Sequence, residues 1–431
     1  MDKKFDVIIF GASGYTGKYV IREAVKLLSG YKWAVSGRNE KKLIEAIKAA
    51  EIYCCESLSD IPIIIADIND EKSLKNMTMQ TKVVVNCCGP YRFFGEQVVK
   101  ACIETFTHHV DVSGEPQYME SMQLKYHLKA LENGVYIVTG CGFDSVPADL
   151  GTVCLQDNFK GTVNSIKIYI QARYLNDYEA FGPIVNYATY ESAIHGMSHA
   201  DQLKDVRKEL FKTKLPKLKP IIENISGLHK ADDLNSKWCL SIPSADQSVI
   251  NRSQRFFYEN YKQRPIQIRT FTTFASLSTA LKTVSAGILL NKMIKYKRGK
   301  ELLLNYPELF SFGFTSRKGP SEEQNANTVF ELILIGEGWN ETFNDPVTNI
   351  DIPVNKKMTC KVTCINPLYG VASKAVLLSA VSILNDCDKM PYNGGVFSPA
   401  AAFKNTSLIQ KLDDNGVTFE VIENNEIKAK L

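Results

Sequence analysis

The sequence predicts an α/β protein: a Rossmann-type doubly wound parallel sheet followed by a second α+β domain. Three observations predict it. An apolar run, Asp6-Val7-Ile8-Ile9-Phe10, enters the glycine turn Gly11-Ala12-Ser13-Gly14-Tyr15-Thr16-Gly17, and a helical pattern follows from Lys18. Over roughly residues 1–151, apolar runs alternate with amphipathic stretches. Beyond Gly151 the pattern gives way to longer runs that alternate apolar and polar residues.

The first run is short and apolar throughout, as a strand buried on both faces requires. Its glycines permit a tight turn, close backbone approach to a diphosphate and close helix–strand packing. The helix that follows aims its free N–H groups and positive dipole end at the phosphates. The spacing Gly-x-x-Gly-x-x-Gly is a variant of the commoner Gly-x-Gly-x-x-Gly, and its weight comes from its place between strand and helix. Gly11, Ser13, Gly14, Tyr15, Thr16 and Gly17 are the candidate pyrophosphate contacts.

The next strand selects the cofactor. Trp33-Ala34-Val35-Ser36 ends in Gly37-Arg38-Asn39. An enzyme that uses NAD usually places an acid here, to bond the ribose 2′-hydroxyl. This chain has Ser36, Gly37 and Arg38, with Lys41 and Lys42 close behind. A planar guanidinium fork suits a 2′-phosphate. NADP(H) is therefore expected over NAD(H). The alternative for Arg38 is an ordinary exposed residue at the start of a helix.

Further strands are expected at 61–66, 82–87, 108–112 and 135–139, with helices at 39–50, 71–79, 96–105 and 117–133. This alternation argues for a parallel sheet covered on both faces, with its ligand beyond the strands' carboxyl ends. Asp67 ends the third strand and either contacts the adenine amino group or caps the next helix. Asn86-Cys87-Cys88-Gly89-Pro90-Tyr91 ends the fourth, and Cys88, Gly89 and Pro90 are expected against the cofactor. Asp111-Val112-Ser113-Gly114-Glu115-Pro116 ends the fifth, and Gly140-Cys141-Gly142-Phe143-Asp144-Ser145-Val146-Pro147 ends the sixth. These three loops are expected to surround the nicotinamide. Tyr91, Glu115 and Asp144 are the candidate proton donors, with Asp111 a further ionisable group nearby. The alternative for the three acids is helix capping.

The second domain is expected to span 152–365. A strand at 163–173 alternates Ile166, Ile168 and Ile170 with polar neighbours, which fits a half-exposed antiparallel sheet. Strands at 267–274, 328–337 and 357–365 and helices at 189–196 and 247–261 follow. The Lys-rich stretch 204–219, bounded by Pro216 and Pro220, reads as a loop or linker. The remaining 366–431 is expected to pack back on both domains, with a strongly amphipathic helix at 367–384, a helix at 406–415 and a strand at 418–422.

Composition sets bounds. With 431 residues, two domains are the natural division. The net charge of +4, from 51 basic and 47 acidic residues, makes no case for nucleic acid. The 11 cysteines lack zinc-site spacing and read as free thiols of a reducing, cytosol-facing compartment. The first strand starts about five residues in, which leaves no room for a signal peptide. His195 and His199 lie four apart with no third ligand in view, so no metal is expected. The serine-hydrolase motif Gly-x-Ser-x-Gly is absent. The most apolar stretch, 271–290, is interrupted by Lys282 and followed by Lys292, Lys295, Lys297, Arg298 and Lys300. It either lies on an anionic membrane surface or forms a buried or dimer-interface helix with a solvated basic end.

Taken together, Phe10-Gly11-Ala12-Ser13-Gly14-Tyr15-Thr16-Gly17, Trp33-Ala34-Val35-Ser36-Gly37-Arg38, Asn86 to Arg92, Asp111 to Pro116 and Gly142 to Gly151 resemble the saccharopine dehydrogenase-like oxidoreductases, a branch of the saccharopine dehydrogenase family. Phe310-Ser311-Phe312-Gly313 and Gly394-Gly395-Val396-Phe397-Ser398-Pro399 also resemble that branch. The resemblance implies a Rossmann domain, an α+β domain forming substrate cleft and dimer contacts, NAD(P)-linked oxidoreduction, and association with membranes or lipid droplets. Related microbial members are similar to trans-acting enoyl reductases of lipid synthesis. Saccharopine would need several arginines for its carboxylates, and Arg173, Arg252, Arg255 and Arg264 form no recognisable clamp in the sequence. The expected function is thus NADPH-dependent reduction of a lipid or acyl-type substrate. The alternative is a non-catalytic NADPH-binding scaffold at a lipid surface.

Overall fold

The computed structural model describes residues 3–175, 178, 182–242, 244–343 and 345–424. In chain order the strands are β1 (Phe5–Phe10), β2 (Trp33–Gly37), β3 (Ile63–Ile65), β4 (Thr81–Asn86), β5 (His108–Asp111), β6 (Tyr136–Val138), β7 (Thr162–Tyr174), β8 (Val185–Asn186), β9 (His229–Ala231), β10 (Lys237–Leu240), β11 (Gln267–Phe274), β12 (Thr315–Ser316), β13 (Thr328–Trp339), β14 (Lys356–Ile365), β15 (Gly395–Phe397) and β16 (Val417–Asn424). The helices are α1 (Tyr15–Leu27), α2 (Glu40–Cys54), α3 (Glu71–Thr78), α4 (Tyr91–Glu104), α5 (Pro116–Glu132), α6 (Val146–Asn158), α7 (Tyr187–Ser198), α8 (Ala200–Leu210), α9 (Ala245–Tyr261), α10 (Leu277–Met293), α11 (Lys297–Asn305), α12 (Pro307–Phe310), α13 (Glu322–Asn327), α14 (Ala372–Asp386), α15 (Pro399–Phe403) and α16 (Leu408–Asp413).

The first sheet has seven parallel strands in the order β15-β6-β5-β4-β1-β2-β3. The order reverses at β1 and β4, which places a ligand crevice beyond their carboxyl ends. The strands are apolar on both faces because both are covered. Val7, Ile9, Val83 and Val85 enter one core, and Ile8, Phe10 and Val84 enter another on the opposite face. Three-residue β15 was not foreseen. It is too short for any periodicity, and it follows Gly394 at φ +146 and opens on Gly395 at φ +131.

The second sheet runs β16-β14-β13-β7-β11-β10-β9. It is mixed rather than antiparallel, since β11 pairs β7 in parallel while the other pairs are antiparallel. Nor is β7 half-exposed over its first half: α6 covers the face whose Ile166 and Ile168 join the large core, and Ser165 and Tyr169 on the alternate positions are buried too, Tyr169 in a second cluster. That core is continuous between the two sheets, through α6 and α14. The chain also returns to both sheets, through β15 to the first and β16 to the second.

Three helical expectations change. The Lys-rich stretch begins inside a helix, α8, which buries no residue of its own. A tertiary anchor holds it: Arg207 donates to both Glu120 oxygens at 2.8–3.1 Å and to the Ser248 hydroxyl. The helix expected to be amphipathic at 367–384 begins as one wide turn, Pro367–Val371, and continues as α14, which is buried on nearly every side. Among the described residues the one helical run long and apolar enough to cross a membrane is Pro367–Lys389, and its apolar window is 83% buried inside the protein, as a core helix is. Finally, the apolar stretch 271–290 divides. Its start belongs to β11, and the Ser276 hydroxyl caps α10 by accepting the Thr279 N–H at 3.2 Å. Only Ala280 of α10 is buried, so the buried-helix alternative does not hold.

Candidate functional site

The glycine turn lies where the sequence placed it, between β1 and α1. Gly11 has φ +79, and a Cβ there would stand 2.7 Å from Cys88 Sγ. The turn therefore packs directly on the loop after β4, at the switch point. A Cβ on Gly17 would sit 2.3 Å from the Gly11 carbonyl oxygen and 2.7 Å from Ala12 Cα, so α1 packs on the turn with no room for a side chain. Gly14 is the exposed N-cap of α1 and offers no side-chain cap, and no acid lies in the first turn. The free amides of Tyr15, Thr16 and Gly17 and the positive helix end are left for an anion. This cradle fits a dinucleotide pyrophosphate. Ser13 sits toward the β2 side, its Oγ 3.8 Å from where a Cβ of Gly37 would be.

Tyr15 does something the motif does not reveal. Its ring packs edge-on to Tyr369 at 4.7 Å and its hydroxyl donates to the Pro320 carbonyl at 3.4 Å. Tyr15 thus offers a ligand its amide, while its side chain ties the turn to the second domain. Tyr19 and Arg22 add contacts from α1 to Glu322 at 3.3 and 2.8 Å.

The β2 end holds Ser36, Gly37 and Arg38. Ser36 is buried, and its carbonyl accepts the Gly11 and Ala12 amides at 2.9 and 3.2 Å, so it shapes the turn from beneath. Its hydroxyl has no hydrogen-bond partner among the described residues. Arg38 is exposed and has no ion pair among the described residues. It comes near Cys88, as does Asp67: Arg38 pulls the Cys88 thiol pKa down and Asp67 pushes it up, against a dominant rise from burial to about 12. Arg38, Asp67 and Cys88 therefore gather around one crevice. Asp67 does not cap α3. That cap is Asp70, whose Oδ1 accepts the Lys72 and Ser73 amides at 3.0 and 3.2 Å. Asp67 Oδ1 accepts the Asn69 amide in a local turn.

The three loops expected around the nicotinamide do converge, with Gly89, Gly114 and Asp144 exposed at their tips. Asn86 braces the first loop by accepting the Cys88 amide at 3.0 Å. Pro90 stands at the N-cap of α4. Asp111 is wholly committed to structure: Oδ1 accepts the Ser113 and Gly140 amides and Oδ2 accepts the Tyr118 hydroxyl, at 2.9–3.0 Å. Tyr91 is buried and turns its hydroxyl inward, to the Asn86 carbonyl at 2.9 Å. Glu115 caps a helix other than its own. Its two oxygens accept the Tyr91 and Arg92 amides at the start of α4, at 2.8 and 3.1 Å. The geometry gives Tyr91 and Glu115 positioning work.

Asp144 is different. It caps nothing, since Ser145 is the N-cap of α6, and among the described residues it makes no hydrogen bond. It is open to solvent yet hemmed in by protein, which pushes its carboxyl pKa up. A Cβ on Gly114 would lie 3.4 Å from its Oδ2. Two groups that the sequence gave no reason to place here come within electrostatic reach: Asp246, at the start of α9, and Tyr369. Burial first, and then the Asp144 charge, drives the Asp246 carboxyl well up. No local motif marks either residue.

The histidines form no metal site, and no group of metal-binding side chains occurs among the described residues. His195 packs edge-on to Phe93 at 4.9 Å and its carbonyl accepts from Arg92 at 2.9 Å, while His199 joins α7 to α8. The contacts of Arg92 hold α7 and α8 above the loop mouth.

Two measurements check this assignment of roles. Glu115→Ala should lower the thermal midpoint by a few degrees, because a lost N-cap costs about 1–2 kcal/mol. Glu115→Gln should restore part of that loss; a normal midpoint for the alanine variant would refute the capping role. Asp149, at the base of α6, tests burial. Its Oδ2 accepts the Ser253 hydroxyl and the Ala400 amide at 2.8 Å each, while Oδ1 is unpartnered, and burial pushes its pKa up to about 6. The folded state therefore holds this proton more tightly than the unfolded state. Its contribution is full below about pH 4 and is lost as pH rises through about 6. Relative to Asp149→Asn, the wild type should lose roughly 1–2 kcal/mol of stability between about pH 4.5 and 7.5. Parallel urea-unfolding profiles would contradict the assignment.

Comparison with known proteins follows the same lines. Residues 7–138 match the family model described as the saccharopine dehydrogenase NADP binding domain. A saccharopine dehydrogenase-like oxidoreductase of Bos taurus is 35% identical over 435 residues, covering 99% of each chain. A lipid droplet localized protein of Caenorhabditis elegans is 37% identical over 433 residues, covering 97% of this chain and 98% of that one. Among solved structures, apo saccharopine dehydrogenase (L-Glu forming) from Saccharomyces cerevisiae shares the fold, with a TM-score of 0.53 at 12% identity, covering 97% of this chain and 100% of that one.

Proposed function

The chain belongs to the saccharopine dehydrogenase-like oxidoreductases, and on that premise we propose that it reduces a lipid or acyl-type substrate with NADPH. The family relation makes NADP(H) its cofactor, and when bound that cofactor supplies the hydride. In this reading the amides of 13–17 and the dipole of α1 hold the pyrophosphate. Arg38, with Lys41 and Lys42 behind it, grips the 2′-phosphate. Asp67 meets the adenosine side, and the backbone of Cys88, Gly89 and Pro90 lines the path to the mouth. Asp144 gives the proton. The observation that carries the reading is the freedom of Asp144 at a mouth where the other sequence-derived candidates are engaged elsewhere.

The arginines argue against saccharopine. Arg173 is engaged by Glu331, Arg255 by Glu259 and the Thr213 carbonyl, Arg264 by the Thr348 carbonyl, and Arg252 donates to Gln123. Those partners lie on separate parts of the chain, although both Nη atoms of Arg252 and Nη2 of Arg264 are buried with no partner among the described residues. The name of the nematode relative supports a lipid connection. NADPH consumption with acyl-thioesters and extracted lipids tests the reading. Turnover that is lost in Asp144→Asn supports it; tight NADPH binding with no turnover across the panel favours the scaffold alternative. Cofactor choice has its own test: Arg38→Asp should weaken NADPH by about 100-fold and NADH by less than about threefold, since a charge-assisted fork is replaced by repulsion. Equal losses for both would remove Arg38 from the 2′-phosphate.

A further inference from the structure

The helices α10, α11 and α12 and the turn after them carry a surface that the reaction mouth does not use. Among the described residues, ten of the exposed large apolar side chains fall within 277–314. They include Leu281 at 51%, Ile288 at 53%, Leu309 at 69% and Phe312 at 75% exposure. Exposed apolar residues are ordinary when scattered singly, and a concentration of this kind marks a contact surface. The helix α10 is the extreme case, because its apolar length buries only Ala280.

Charge identifies the contact. Residues 277–300 carry six basic side chains and no acidic one, in a chain whose whole net charge is +4. None of the six has an ion pair among the described residues, although many cations elsewhere are paired. We propose that this face docks on an anionic phospholipid surface, with α10 lying in the plane of the headgroups. Apolar side chains would enter the acyl boundary while Lys292, Lys295, Lys297 and Arg298 meet phosphate and carboxylate groups. Lys282, within the apolar length of α10, disfavours a spanning helix. A second copy of this chain fits poorly, because a two-fold contact through this face would oppose six cations with six cations.

The place of this face in the fold gives docking a purpose. Leu290 and Met293 of α10 and Ile294 just after it pack with Leu303 of α11 against Tyr190 and Ile194 of α7. Arg92, at the start of α4, donates to the His195 carbonyl of α7 and to Gln202 of α8, at 2.9 Å each. A surface held by α10 is therefore one helical layer from the loops around Asp144. The inference rests on the lipid-type reading above for its purpose, and docking can be read without turnover.

Flotation of the full chain tests it, with vesicles of phosphatidylcholine alone and of phosphatidylcholine mixed with phosphatidylserine. Co-flotation is expected with the anionic vesicles only, and should weaken as salt is raised. Lys292→Gln and Lys295→Gln should each lower the vesicle partition coefficient by about fivefold. Leu281→Asp and Ile288→Asp should each lower it by at least about tenfold, with NADPH affinity retained in every variant. A folded, NADPH-binding wild type that stays with the soluble fraction would overturn the proposal. So would flotation insensitive to these variants, or dimers in light scattering that the Leu281→Asp and Ile288→Asp changes break without any flotation of the wild type. Flotation without NADPH consumption would leave docking in place and remove only the reductase reading.

Discussion

An Asp144→Asn variant should bind NADPH as the wild type does and consume it about 10²- to 10⁴-fold more slowly with any acyl substrate the wild type reduces. Asp144 stands on an exposed loop tip at the mouth formed after β4, β5 and β6, and among the described residues no hydrogen bond holds it in a structural role. The protein packed around it raises its carboxyl pKa, the direction a proton donor needs. Asp246 and Tyr369 add a second acid and a phenol within electrostatic reach. Asparagine preserves size and hydrogen-bonding capacity and cannot release a proton. Tyr91→Phe is the control, since its hydroxyl turns inward to the Asn86 carbonyl. A wild-type rate in Asp144→Asn would move the proton donor elsewhere.

Gly17→Ala should remove detectable NADPH binding and destabilise the protein. A Cβ at this position meets backbone on both sides: the Gly11 carbonyl oxygen at 2.3 Å and Ala12 Cα at 2.7 Å. Backbone cannot swing aside as a flexible side chain can. The turn or α1 must move, and overpacking of this sort costs about 1–3 kcal/mol. The same movement displaces the amides that face the pyrophosphate, so affinity should fall by at least about 100-fold. Gly287→Ala is the matched control, because a Cβ there meets nothing within 4 Å and its helix favours alanine. Calorimetry and thermal unfolding on the pair read both effects. Intact affinity in Gly17→Ala would mean that the cradle lies elsewhere.

Legibility in the sequence tracked how local the determinant is. Strands β1 to β4 and β6 are legible because each centres on an apolar run that ends at or just before a glycine, asparagine or aspartate, and the turn at Gly11 because strand, glycines and helix are contiguous. The role of Glu115 was hidden because its carboxylate caps a helix 24 residues upstream in sequence. In sequence Tyr15 reads as a cofactor contact, while its ring and hydroxyl engage Tyr369 and Pro320, more than 300 positions away. Helix α8 looked like a linker because its one strong anchor, Arg207 to Glu120, is tertiary. The three residues of β15 carry no period at all. The parallel pairing of β7 with β11 depends on a crossover that alternation along β7 cannot encode.

The central claim is that the turn between β1 and α1, with Arg38 beside it, cradles a dinucleotide bearing a 2′-phosphate. Titration calorimetry of the purified wild type with NADPH and with NADH tests it most directly. One-to-one binding of NADPH, at least about tenfold tighter than NADH, is the predicted result. Absence of heat with both dinucleotides, or a preference for NADH, would contradict it.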